Sequence, residues 1–408
     1  MRDRLLWLLS LVFVAWMVWA ETSFQFFGSS LGDQLRLSET SVAMIGGAFL
    51  VPYGLAQIPV GWLLDHGRAE RLLLLGSIGA AVLAMVFGRG QSMTELLISR
   101  AAMGLACSVA FPASGLLARK TLPAHRFPLA MGATDSLLGF GAAFAALMPL
   151  LLHGQTWRSL LLLQSIMLML LVVLPLLLLQ ASSLKLFRPV AIQSAPASLP
   201  RAEFELGWSG SSIRQVIHAA LMYAWGAGVL FGLGQYGLLS SLEGWSHQLK
   251  LGISFALSIA TAAGMLIAGW LGSSPSRRRA LLLIGTCSAA VALLVLTLNQ
   301  PRPAEQLVIT AVWLGLALGS CVLSFPMAEA AAPPGRTAFV VALVNTAGTL
   351  SGAFMTFISG WLLKVSLPGD TRLVIVTYGA LAVAGIVCAA WPSTQHGPIC
   401  ISSEHPLG

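Results

Sequence analysis

The chain has 408 residues, of which 57% are hydrophobic and only 9% charged, with a formal net charge of +8. Soluble domains carry about 25% charged and about 45–50% apolar residues, so a single water-facing globule is excluded and lipid must solvate much of the surface. The positive charges punctuate apolar runs and form no basic domain, which argues against nucleic acid as a partner.

A helix crosses the hydrocarbon core with about 20 apolar residues. Candidate spans lie near 5–29, 39–64, 71–88, 95–118, 127–152, 157–180, 215–240, 250–272, 280–298, 305–331, 337–363 and 371–391. The first, in MRDRLLWLLSLVFVAWMVWA, starts like a signal peptide. Its apolar run continues past Ala20 and further spans follow, so a retained first helix is predicted. This span carries Trp16, Trp19, Glu21 and Gln25. The second carries Tyr53 and Gln57 and ends in GWLLDHGRAER, residues 61–71. The fourth holds Arg100, and the glycine-rich fifth holds Asp135 in GATDSLLGFG.

Residues 181–214 hold three prolines and many serines and read as a linker. The seventh span offers Tyr223, Trp225, Gln235 and Tyr236, and the eleventh is again glycine-rich. The stretch from Pro392 is rich in Pro and Ser and is expected to be disordered. The expected fold class is therefore all-α integral membrane: six-helix bundles at 1–180 and 215–391, a cytoplasmic linker at 181–214 and a cytoplasmic tail at 392–408. With the N-terminus in the cytoplasm, most Lys and Arg fall in cytoplasmic loops, as the positive-inside rule requires. The five cysteines are scattered without a CxxC, so no disulfide, metal site or cofactor is expected.

The halves repeat one another. Gly61-Trp62 recurs as Gly269-Trp270, Phe111-Pro112 as Phe325-Pro326, Asp135 as Asn345 and Phe144 as Phe354, all separated by about 210 residues. Several matches in order at nearly one offset indicate a duplication, and such repeats typify secondary transporters.

Twelve spans, a duplicated half and a central linker resemble the major facilitator superfamily. The signature of that family between its second and third helices, G-x-L-a-D-r-x-G-r-[RK], is matched here by Gly61, Leu63, Asp65 and Arg71. Arg68 stands where the second glycine is usual, and the second-half copy has Ser273 in place of the acid. Asp65 is expected at a helix C-terminus, where a negative charge is unfavourable unless paired. The resemblance implies that its partner is the start of the eleventh helix near Arg336 and Thr337, which forms a cytoplasmic latch of Gly61, Asp65, Arg68, Arg71 and Arg336. Arg100 and Gly104 resemble the fourth-helix motif of the family.

An acid or guanidinium inside a span is a functional candidate. Glu21 is expected to couple a proton gradient to transport, with Arg100 as charge partner and Asp135 as a further proton or gate residue. Trp16, Trp19, Gln25, Tyr53, Gln57, Tyr223, Trp225, Gln235 and Tyr236 are expected around a solute cavity between the halves. No phosphate loop or catalytic triad is present, so neither ATP use nor enzyme chemistry is indicated. The expectation is a monomeric, proton-coupled carrier of a small polar organic solute in a bacterial inner membrane, with lipid, solute and protons as partners. A drug–proton antiporter is the first alternative, although Ala145 and Ala146 break the fifth-helix pattern of such exporters. A membrane sensor that binds solute without moving it is the second.

Overall fold

The computed structural model describes residues 2–67, 69–151, 156–185, 207–231, 246–298, 303–365 and 372–390. Arg68, Gln235, Tyr236, the middle of the linker and the segment from residue 391 lie outside the described residues.

Helix is the only regular structure among the described residues. A chain surrounded by hydrocarbon must satisfy its backbone polar groups internally, and helices do so within one segment. Ten helical stretches among the described residues are long and apolar enough to cross a membrane. Two more helices occupy the seventh and twelfth runs. In chain order the helices are α1 (Arg2–Thr22), α2 (Phe24–Leu35), α3 (Glu39–Gly47), α4 (Leu50–His66), α5 (Ala69–Arg89), α6 (Met93–Cys107), α7 (Ala110–Thr121), α8 (Phe127–Leu151), α9 (Trp157–Leu168) and α10 (Leu174–Lys185). They continue as α11 (Gly210–Val229), α12 (His247–Leu271), α13 (Pro275–Leu298), α14 (Ala304–Leu318), α15 (Ser324–Ala331), α16 (Thr337–Val365) and α17 (Arg372–Ala390).

Several spans are broken. Proline explains most of the breaks, because it lacks an N–H and clashes with the preceding turn but is tolerated in a first turn. Pro52 lies in the first turn of α4, Pro112 in that of α7, Pro175 in that of α10 and Pro326 in that of α15. The duplicated Phe-Pro pair thus breaks the fourth and tenth spans at equivalent places, and Phe111 and Phe325 meet with ring centroids 5.3 Å apart.

The first six spans meet the last six along two lines, α4 against α16 and α8 against α12. Glycine makes the second crossing a backbone-to-backbone contact. A Cβ on Gly132 would lie 2.6 Å from the carbonyl oxygen of Met265, and one on Gly269 would lie 2.7 Å from that of Pro128. Small residues at helix crossings let backbones approach where lipid supplies no hydrophobic drive. Large apolar side chains such as Leu75, Ile98, Ile309 and Phe357 stay exposed on the outer surface, as suits a protein solvated by hydrocarbon.

Candidate functional site

Two adjoining clefts lie between the two sets of spans. The central one is lined by Met17, Val18 and Glu21 of α1, Phe49 beside α4, Leu50 and Tyr53 of α4, Leu138, Tyr223, Phe231, and Asn345 and Thr349 of α16. Its neighbour is lined by Thr22, Gln25 and Phe26 on one side, and by Ser254, Leu257 and Ser258 of α12 on the other. Leu138 and Phe231 line both. The central cavity has room for about 30 Å³, against about 10–15 Å³ for one water on the same measure, so it is narrow in this state.

Among the described residues, Glu21 is the one carboxylic acid on the wall of either cleft. Arg100 approaches it from behind. The guanidinium donates from Nη1 to the carbonyl oxygen of Ala20 at 3.1 Å and from Nη2 to that of Glu21 at 2.9 Å. The rings of Phe24, Phe49 and Phe87 surround it, with centroids 5.1, 5.1 and 5.6 Å from the guanidinium carbon. Arg100 is fully buried and forms no ion pair with the Glu21 carboxylate. It fastens the first span just before its break at Ser23, where helix carbonyls would otherwise lose partners.

A polar layer lies on the N-terminal side of the central cavity. Tyr223 on α11 donates to Asp135 Oδ1 on α8 at 2.9 Å. Asn345 on α16 donates to Tyr53 Oη at 3.1 Å and to Gln57 Oε1 at 2.9 Å, both on α4. Thr346 adds a bond to the carbonyl oxygen of Gly54 at 2.8 Å. The repeat mates Asp135 and Asn345 therefore both hold the opposite set of spans. Asp135 Oδ2 and Gln57 Nε2 are buried without a partner. Tyr223→Phe is expected to leave both Asp135 oxygens bare and to destabilise the protein by about 1–3 kcal/mol, whereas Asp135→Asn keeps an acceptor and is expected to cost less. Thermal unfolding of the two variants in detergent decides this, and equal losses would count against the bond as the reason.

The face that bears the N-terminus is closed by three contacts between the two sets of spans. Asp65 Oδ1 accepts from the N–H of Ala338 at 2.8 Å, and Oδ2 accepts from that of Phe339 at 2.9 Å. These are unpaired donors of the first turn of α16, where the helix dipole also favours an anion. Gly61 permits this approach, since a Cβ there would lie 2.6 Å from that of Ala342 and 2.8 Å from the Ala338 carbonyl oxygen. His66 Nδ1 lies 2.8 Å from the Trp62 carbonyl oxygen, which can only accept, so Nε2 is free to accept from Arg336 at 3.1 Å. Arg119 of α7 pairs with Glu329 of α15 at 2.6 Å, whereas Arg2 pairs with Glu70 at 2.5 Å within the first six spans.

The other residues singled out by sequence divide by helix face. Gln25, Tyr53 and Tyr223 line the clefts, and Gln57 lies in the polar layer beneath them. Trp16 turns away and donates to the carbonyl oxygen of Gln164 on α9 at 2.7 Å. Trp19 packs edge-on against Phe144 of α8 at 5.2 Å, and Trp225 packs against α17 at Gly385. None of the three tryptophans lines either cleft, and the cleft face of α1 is set by Met17, Val18, Glu21 and Thr22. Arg71 is exposed at the start of α5. Sequence reasoning missed Phe49, Phe231 and Thr349 as cavity residues, and the Arg119–Glu329 pair. In a chain this apolar, a phenylalanine facing a cavity looks like one facing lipid.

The family model described as Major Facilitator Superfamily matches residues 7–356. A D-galactonate transporter of Escherichia coli O6:H1 is 28% identical over 127 residues, 31% of this chain and 29% of that protein. A probable sulfoacetate transporter of Cupriavidus necator is 24% identical over 128 residues, 31% of this chain and 30% of that protein. The matched stretch thus spans less than a third of either curated relative. Among solved structures, the human organic anion transporter MFSD10 (TETRAN) superposes with a TM-score of 0.69 at 16% identity, over 95% of this chain and 100% of that one. That likeness is one of fold.

Proposed function

The chain belongs to the major facilitator superfamily, and from that premise we propose that it is a secondary active transporter of a small polar organic solute, coupled to protons and working by alternating access. The halves are residues 1–180 and 215–391, joined by the linker 181–214, and both chain ends lie in the cytoplasm of a bacterial cell. One observation carries the reading. An acid-bearing cavity lies between two sets of spans, and contacts that join those sets close one face beneath it.

Glu21 is the proton site. A carboxylate on a largely apolar wall is stable there when protonated or paired, so loading and unloading its proton changes which state of the carrier is favoured. Arg100 positions the stretch of α1 that carries Glu21, and Asp135 joins α8 to α11 one layer below. Asp65 and its bonds to α16 hold the cytoplasmic face shut, as a carrier with a single alternately exposed site requires. The partial matches to transporters named for galactonate and sulfoacetate agree with a small organic solute.

The test uses the purified chain in proteoliposomes with a pH gradient and a panel of carboxylates, sugars, amino acids and amines. Glu21→Gln is expected to lose solute accumulation against a gradient by at least tenfold. Accumulation equal to that of the parent would remove Glu21 from the coupling step.

A further inference from the structure

On the reading of a proton-coupled carrier, we propose that the solute is a small organic cation, held by the Glu21 carboxylate against the aromatic wall of the central cavity in competition with the proton.

The charge of the cavity wall is the first ground. No Lys, Arg or His lines either cleft among the described residues, and Glu21 is the one acid. The remaining polar groups of the central cavity are the neutral Tyr53, Tyr223, Asn345 and Thr349. An organic anion would face the carboxylate with hydroxyl and amide groups alone for support. The nearby cation acts on Glu21 through its charge but does not line the cavity. Arg100 has both terminal nitrogens committed to main-chain carbonyls, lies behind Phe49 and is fully buried.

The rings are the second ground. Phe49, Tyr53, Tyr223 and Phe231 supply four aromatic side chains around one acid. Aromatic faces attract a cation through their quadrupole, most strongly when it has shed its water, and they stabilise an anion poorly. Phe49 and Tyr53 stack with centroids 5.7 Å apart, and Tyr223 donates its proton to Asp135, so its oxygen turns only lone pairs to further partners. Phe231 lines both clefts.

The exchange balances without a further reactant. Protonated Glu21 and a cation give the carboxylate–cation pair and one released proton. The ionisable groups around the carboxylate are Arg100 and Cys107 of α6, Tyr53 of α4, Tyr223 of α11 and, behind Tyr223, Asp135 of α8, while α16 presents the neutral Asn345 and Thr349.

Three probes that share a phenyl ring and differ in charge test this on the full chain in lipid nanodiscs: benzyltrimethylammonium, 3-phenylpropan-1-ol and phenylacetate. The first has no proton of its own to give. It is expected to bind at least tenfold more tightly than either comparator and to release close to one proton per molecule. Its affinity is expected to fall about tenfold per pH unit where Glu21 is protonated. Glu21→Gln is expected to abolish both the preference and the proton release while 3-phenylpropan-1-ol binds as before. Should that variant fail to fold, Phe231→Leu is expected to weaken the cation severalfold more than the alcohol. Phenylacetate binding as tightly as the cation, no cation binding at millimolar concentration, or an unchanged Glu21→Gln overturns the charge assignment. Proton-driven flux of another solute that still depends on Glu21 would then leave the carrier reading intact. Cation binding at Glu21 without proton release overturns the exchange, and the proton-coupled reading with it.

Discussion

Asp65→Ala is expected to shift the protein toward a state open on the face that bears the N-terminus. The variant removes both acceptors from the N–H groups of Ala338 and Phe339 and the anion from the start of α16. Hydrogen bonds to a charged group contribute about 1.5–3 kcal/mol each, part of which water recovers once the face opens. A net loss of about 3 kcal/mol changes the ratio of two states on the order of a hundredfold. Spin labels at the exposed positions Lys120 and Pro334 would read the shift as a new, longer distance. Asp65→Asn keeps an acceptor and should move the distribution less. An unchanged distance distribution in Asp65→Ala would show that the Arg119–Glu329 pair and the apolar contacts hold the face shut without the latch.

Gly132→Val should do the largest damage to stability. A Cβ at that position meets the Met265 carbonyl oxygen at 2.6 Å and the Gly269 Cα at 3.2 Å, and neither atom can rotate aside as a side chain could. Overpacking costs about 1–3 kcal/mol where side chains can adjust, and a larger loss is expected where two backbones must separate. Thermal unfolding in detergent provides the measure. Gly252→Ala on the same α12 is the control, since nothing lies within 4 Å of a Cβ there. It is expected to be neutral or to raise stability by up to about 1 kcal/mol through helix propensity. Equal melting of Gly132→Val and parent would mean that α8 and α12 do not rest on each other as described.

Length and hydropathy made the spans legible, because hydrocarbon leaves a chain little freedom in element length or type. The breaks were less so. Proline explains those after Phe49, Ser108 and Val173, whereas the kink at Ser23 has no proline and is supported by Arg100 from another helix. Asp65 was legible through its motif and its place at a helix end. Of the cavity candidates, Gln25, Tyr53 and Tyr223 line the clefts, whereas the tryptophans drew attention as large amphipathic groups. On α1 they fall on faces that meet α9 and α8, and the cavity face is spelled in Met, Val and a single acid. Hydropathy cannot separate a side chain that faces lipid from one that faces a dry cavity. The Arg119–Glu329 pair joins residues 210 positions apart, and each half alone offers no sign of it.

The latch has no counterpart at the equivalent edge of the molecule. Where the second copy of the motif would place an acid, Ser273 turns back to the carbonyl oxygen of Trp270 in its own helix, and α8 meets α12 through bare glycine backbone. One edge therefore adds charge to contact, and the other rests on contact alone. Dissolved salt treats these two unequally: its screening length shrinks from about 8 Å at 0.15 M to about 3 Å at 1 M, while apolar contacts are unaffected or strengthened. Rising ionic strength is therefore expected to weaken the α4–α16 edge more than the glycine edge, which would then serve as the hinge of any parting.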